Sequence, residues 1–281
     1  MDSNTVLERL KHLASQEDSE LNLAEGALLI AAFRDDSLDL SHYLGRLDAM
    51  VEGVRETLPE TEDFSGSVRA LTQYLAGEEG FRGNTDEYAD VRNSFLNDVL
   101  DRKLGIPITL SVLYIEIGTR LGLDVCGLSF PGHFLVRFRH DDKIIVLDPF
   151  FGGVSLNEGD LLQRMRRFVP NESQARAMLG QVLRGAPKSE ILARMLRNLR
   201  ELYVSQGELP AALSAADQIL AFTPDEPEAL RSRADLYYQL EVAHAAAADY
   251  QRYLNLSPNA PDADEVRARL IDLGHQQGRL N

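Results

Sequence analysis

Residues 107–121, PITLSVLYIEIGTRL, form a segment that only a protein interior can hold as a helix. Pro107 suits a first helical turn, where the missing N–H removes no helical hydrogen bond. From Ile108 to Leu121 the side chains are apolar on nearly every side, so the helix is expected to be buried all round rather than laid on a surface. Gly122 is placed to end it. Glu116 inside this run requires a partner, for which Arg137 or Arg92 is the expectation. The apolar stretch from Ile106 to Ile117 is far shorter than the about 20 residues that span a bilayer.

Working outward, three strand-like segments follow: Val125–Phe130, Phe134–Arg139 and Lys143–Leu147, with Asp141 and Asp142 as the tight turn between the last two. A buried helix feeding an antiparallel sheet is an α+β layout. Upstream, Ser94 to Leu104 reads as a helix broken at Gly105. From the start to Gly80 the chain reads as helices, with Leu7, Leu10 and Leu13 on one face and Tyr43, Leu44, Leu47, Met50, Val51 and Val54 on another. Between Arg164 and Arg200 stand nine Lys or Arg and two acidic residues. This stretch is expected to dock as a basic helix on the acidic N-terminal helices, and the domain junction is placed near Pro187.

The C-terminal part repeats itself. One constant shift brings Leu196 onto Leu230, Leu202 onto Leu236, Tyr203 onto Tyr237, Ala212 onto Ala246 and Pro224 onto Pro258. That period, with an aromatic in one helix and a small residue in the next, resembles the tetratricopeptide repeat. Two repeats, at about 192–225 and 226–259, precede a capping helix over Asp264–Leu273. Glu241 stands where the first repeat has its turn glycine, Gly207. The expected division is thus 1–186 and 187–281.

Composition narrows the function. The chain has 281 residues, 44% hydrophobic and 26% charged, with 29 Lys and Arg against 44 Asp and Glu, a net charge of -15. Such a field repels phosphate backbones and anionic lipids, which argues against nucleic-acid and membrane partners. One cysteine, Cys126, excludes internal disulfides and every CxxC metal site. The first residues lack the basic-then-apolar order of a signal peptide, and a cytoplasmic, soluble protein is expected. His12, His42, His140, His244 and His275 are scattered without metal-ligand spacing, and no Gly-rich phosphate loop is present. Neither a metal nor another cofactor is expected.

The order of the remaining residues suggests chemistry. In papain-like and transglutaminase-like enzymes a thiol stands at the start of a buried helix, where the helix dipole and an imidazole lower its pKa. A histidine on a following strand is oriented by an acid on the next. Here the helix from Pro107 is followed by His133 in PGHFLVR and Asp148 in VLDPFFGG, with a single hairpin between them. The strings SFLNDVLDRKLGIPITLSVLYIEIGTRLGL, FPGHFLVRF and LDPFFGG closely resemble the transglutaminase-like core of a bacterial family named after an invasion-gene regulator. Members of that family often carry C-terminal tetratricopeptide repeats. The resemblance covers roughly residues 20–165 plus the repeats. It implies a helix-rich transglutaminase or papain-like core with a small antiparallel sheet, followed by an all-α repeat segment, and it implies no defined reaction.

The departure lies at the helix start, where Pro107, Ile108 and Thr109 include no cysteine. His133 and Asp148 are therefore expected as a remnant pair, with Asn97, Thr109, Ser111 and Cys126 as further cleft residues. The leading expectation is a protein- or peptide-binding protein without catalysis, using the cleft, the repeats or both. The alternative is a hydrolase or acyltransferase in which Cys126, Thr109 or Ser111 supplies the nucleophile beside His133.

Overall fold

The computed structural model describes residues 2–59 and 63–280. Helices α1 (Ser3–Ala14), α2 (Leu23–Ala32), α3 (Leu40–Thr57) and α4 (Phe64–Thr72) come first, and α4 runs on into a π-helical turn over Gln73–Glu78. Short local bonds set their starts: Asn22 Oδ1 accepts from the Glu25 N–H, and Asp39 Oδ1 from the His42 N–H. Strand β1 (Arg82–Gly83) pairs in parallel with β2 (Leu104–Gly105), on either side of α5 (Leu96–Arg102). Helix α6 (Pro107–Arg120) follows, with every residue from Pro107 to Gly118 buried. Gly122, at φ 81°, turns the chain out of it in the left-handed region.

Strands β3 (Asp124–Leu128), β4 (Leu135–His140), β5 (Lys143–Asp148) and β6 (Val154–Leu156) form one antiparallel sheet in that order. The fourth strand has no counterpart among the sequence expectations. It is three residues long with Val154 and Ser155 exposed, too short to show an alternating pattern. Side-chain alternation sorts the sheet into two faces. Val125 and Phe138 turn toward α6, so closely that a Cβ on Gly118 would lie 3.1 Å from the Phe138 ring. Leu128, Leu135 and Val146 turn the other way, onto Leu161, Leu162 and Met165 of α7 (Glu158–Met165) and Leu179 of α8 (Glu172–Val182). The sheet is therefore the middle of three layers, and the all-apolar character of α6 reflects its place inside them.

Two expectations are corrected. Glu116 is partnered neither by Arg137 nor by Arg92. It accepts from the Ala24 N–H at 3.0 Å and pairs with Arg120, one turn along its own helix, at 3.1 Å. Burial pushes its carboxyl upward in pKa, against the pull of Arg120. Arg137 instead donates to the Leu183 carbonyl, and Arg92 pairs with Asp90. The basic stretch also does not dock as one helix on the N-terminal helices. Arg176 pairs with Glu158 and Glu172, and Arg194 donates to the carbonyls of Phe130 and His133. Lys188 does reach the N-terminal region, at the Leu21 carbonyl. A run of like charge along the sequence is dispersed once helices turn its members to different sides.

The chain divides into two compact units, residues 1–6 with 16–195 and residues 7–15 with 196–281. The second is helical: the C-terminal part of α9 (Lys188–Gln206), then α10 (Leu209–Phe222), α11 (Pro227–Gln239), α12 (Ala243–Leu256) and α13 (Ala263–Leu280). Tyr203 packs on buried Ala212 and Ala216, and Tyr237 on the cluster holding Ala246 and Tyr250. Gly207 at φ 76° and Glu241 at φ 60° take the same left-handed turn, so Glu241 adopts a conformation that disfavours its side chain. The period extends to ion pairs. Arg197 meets Glu226 at the start of α11, and Arg231, one period further on, meets Asp262 just before α13. Ala246 has no exposed surface, so Ala246→Leu should overpack that helix pair and cost about 2 kcal/mol. Chemical denaturation checks this, and an unchanged midpoint would contradict the packing.

Candidate functional site

The chain reaches the site through a tight turn. The His133 N–H donates back to the Phe130 carbonyl at 3.1 Å, with Gly132 between them at φ 66°, a left-handed conformation that glycine adopts readily. Residue 136 pairs with 147, which brings the end of β5 alongside the start of β4. Asp148 consequently stands beside His133. Nε2 of the imidazole lies 2.8 Å from Asp148 Oδ1, and Arg164 Nη1 of α7 donates to Asp148 Oδ2 at 2.7 Å. Asp148 has no exposed surface, whereas 18% of the His133 side chain is open to solvent.

These contacts set the electrostatics. Burial alone would raise the Asp148 pKa, but hydrogen bonds from His133 and Arg164 outweigh it and hold the carboxyl below its ordinary value. An ionised Asp148 can only accept, so the imidazole carries a proton on Nε2 and donates it to Asp148 Oδ1. Among the described residues Nδ1 has no hydrogen-bond partner.

Aromatic rings surround the imidazole. Phe151 stacks on it, with centroids 6.1 Å apart and planes 27° apart, and Phe150 meets it edge-on at 6.1 Å. Tyr88 meets Phe150 in turn at 5.9 Å. Phe150 also covers Gly83, which pairs with Gly105 just before Pro107. Through Phe150 and this short parallel pair, the His133 end of the sheet adjoins the segment that leads into α6.

The other sequence-selected residues are elsewhere. Thr109 Oγ1 is fully buried and donates to the carbonyl of Asn93 at 2.7 Å, within reach of Ile106, so it caps the helix. Ser111 is also fully buried, and its Oγ has no hydrogen-bond partner. Asn97 is buried on α5 with its Oδ1 unpartnered. Cys126 lies opposite Arg137 on the face that packs against α7 and α8, and burial pushes its thiol up in pKa. The structure brings His133 and Asp148 together and gives neither a hydroxyl nor the thiol a hydrogen bond to the pair. Sequence reasoning missed Arg164, which comes from α7, beyond the sheet, with no local pattern to mark it. The rings of Phe150 and Phe151 lay within the LDPFFGG string that carried the resemblance.

A helix enclosed against an antiparallel sheet, with a histidine–carboxylate pair at the sheet's end, is the plan of a transglutaminase-like domain. The sequence profile described as Transglutaminase-like superfamily matches residues 41–197, more than half of the chain, and a Tetratricopeptide repeat profile matches residues 199–271. Similar proteins are bacterial. A UPF0162 protein of Xylella fastidiosa is 41% identical over 95% of each chain, and one of Pseudomonas aeruginosa is 32% identical over 92% of this chain and 93% of its own. Protein SirB1 of Salmonella typhimurium is 23% identical over 95% of this chain and 98% of its own. The chain belongs to the transglutaminase-like superfamily, in the branch of bacterial proteins designated UPF0162.

Proposed function

We propose that this is a regulatory or scaffolding protein of the cytoplasm that binds a protein or peptide partner and catalyses no reaction. The carrying observation is a relay without a nucleophile. His133, Asp148 and Arg164 are assembled, yet the helix start offers Pro107, Ile108 and a Thr109 hydroxyl committed to the Asn93 carbonyl. A hydroxyl needs an adjacent base to act as a nucleophile, and that one donates to backbone carbonyls instead. The Cys126 thiol is held in its neutral, poorly nucleophilic form by burial. Tetratricopeptide repeats generally mediate protein–protein interaction, which supports a binding role for the C-terminal unit. The net charge of -15 argues against nucleic acid or an anionic membrane as the partner, and no helix among the described residues is long and apolar enough to cross a membrane.

The test is activity-based. Purified full-length protein should incorporate no amine into glutamine substrates and take no label from a broad thiol-protease probe. Labelling that disappears in both Cys126→Ala and His133→Ala would make the protein an enzyme, in line with the alternative of a cysteine- or hydroxyl-dependent hydrolase.

A further inference from the structure

Helix α4 turns one face toward the sheet and leaves a space beside it. Ser65, Val68, Arg69 and Thr72, spaced as one side of a helix, form the near wall. Opposite them stand Ile145 and Leu147 of β5, Gly153 in the turn, and Ser155 of β6. Ile145 pairs with Phe138, which turns toward α6, and Leu147 pairs with Ser155. By strand alternation these side chains lie on the α6 face of the sheet. Asp148 points the other way, to Arg164 of α7. The cavity measures about 300 Å³, and it stays open because Ser65, Gly153 and Ser155 are too small to fill it. One end is closed by contact. A Cβ on Gly153 would lie 2.4 Å from Thr72 Cγ2, so helix and turn touch there.

The walls differ in chemistry. Val68 and Leu147 are buried and Ile145 is half-buried, which makes an apolar floor. Arg69 is exposed, and among the described residues no carboxylate pairs with it. Asp63 lines a second cleft on the far side of Arg69, where its Oδ1 accepts from the Ser65 N–H. A guanidinium holds a carboxylate through two parallel hydrogen bonds. A doubly charged phosphate would need a second cation, and among the described residues Arg69 is the one cation lining the cavity. The net charge of -15 further disfavours polyvalent anions. A volume of about 300 Å³ lies at the small end of ligand sites. The occupant is therefore short, singly charged and otherwise apolar.

We propose that this cavity binds a small aliphatic monocarboxylic acid, its carboxylate on Arg69 and its hydrocarbon chain against Val68, Ile145 and Leu147. The site lies on the opposite face of β5 from Asp148, and it does not depend on the partner binding proposed above. Such a ligand bridges α4 and the β5–β6 edge, so it stabilises the transglutaminase-like unit as the site fills.

The probe is hexanoate, titrated into full-length ¹⁵N-labelled protein, with acetate and 1-hexanol as comparisons. The amide resonances of Val68, Thr72, Leu147 and Gly153 should shift together with hexanoate and saturate. Acetate lacks most of the chain and should bind more than about tenfold more weakly. 1-Hexanol lacks the charge and should bind about fivefold more weakly, the size of one exposed ion pair. Arg69→Gln should weaken hexanoate about fivefold and leave 1-hexanol unchanged. Ser155→Phe places a ring in the cavity and should abolish the binding of both. Arg69 and Ser155 are exposed, so both variants should keep the wild-type thermal midpoint. If either loses stability, salt decides on the wild type alone. Hexanoate affinity should then fall with ionic strength while that of 1-hexanol does not, and equal salt responses would refute the role of Arg69. The proposal is overturned by the absence of a saturable shift at these four amides, or by acetate or 1-hexanol binding as tightly as hexanoate. Undiminished hexanoate binding in a folded Arg69→Gln or Ser155→Phe variant overturns it as well.

Discussion

Asp148→Ala is expected to destabilise the transglutaminase-like unit by about 3 kcal/mol. Two charge-assisted hydrogen bonds end on this carboxylate, and a bond to a charged group contributes about 1.5–3 kcal/mol. The two do not add in full, because 30% of the Arg164 side chain is exposed and regains water when its partner is removed. For a unit of this size, that loss lowers the thermal midpoint by roughly 6–12 °C, which differential scanning calorimetry reads directly. Asp148→Asn keeps the shape and removes the charge, so it should fall between wild type and Asp148→Ala. Acid supplies an independent check. The folded Asp148 carboxyl titrates below its ordinary value, so its contribution is complete above the unfolded value of about 3.9 and is lost as pH falls through the lower folded value. The advantage of wild type over Asp148→Asn should therefore be present at pH 5 and shrink below about pH 4. An advantage that instead grew as pH fell below about 4 would show that the carboxylate is not held ionised by His133 and Arg164.

How much of this was legible in the sequence follows from the range of each interaction. Helix α6 could be read because its burial on every side leaves a local, one-dimensional trace. The helix pairs could be read because a fixed period repeats the same packing twice. The His133–Asp148 contact could be read because a hairpin converts a short separation along the chain into adjacency. Arg164 could not, since the docking of α7 on the sheet, rather than any nearby pattern, brings it to Asp148. Thr109 shows a different limit. Its position in the first turn was evident, but the direction of its hydroxyl depends on the Asn93 carbonyl, brought there by the chain before α5. Glu116 was readable and misread. Arg120, one turn along the same helix, is the neighbour that helical geometry favours, and more distant arginines were expected instead.

The site's aromatic floor should prove equally sensitive, through a glycine. A Cβ on Gly83 would lie 2.5 Å from both Cδ2 and Cε2 of Phe150, closer than real contacts allow. The Phe150 ring has little room to yield, being 8% exposed and wedged among Gly83, His133, Tyr88 and Phe151. Backbone pairing of Gly83 with Gly105 resists movement from the other side. Gly83→Val should therefore cost about 3 kcal/mol through overpacking and displace Phe150, altering the environment of the imidazole. Phe150→Ala alone should also cost about 3 kcal/mol, by opening a cavity. In the double variant the valine fills space that the ring has vacated, so the combined loss should fall short of the sum by about 1–2 kcal/mol. Equilibrium denaturation of the four proteins measures that coupling, and the His133 imidazole resonances report the displacement. Strictly additive losses with an unmoved His133 signal would mean that Gly83 and Phe150 do not share this space, and that the ring does not support the histidine from below.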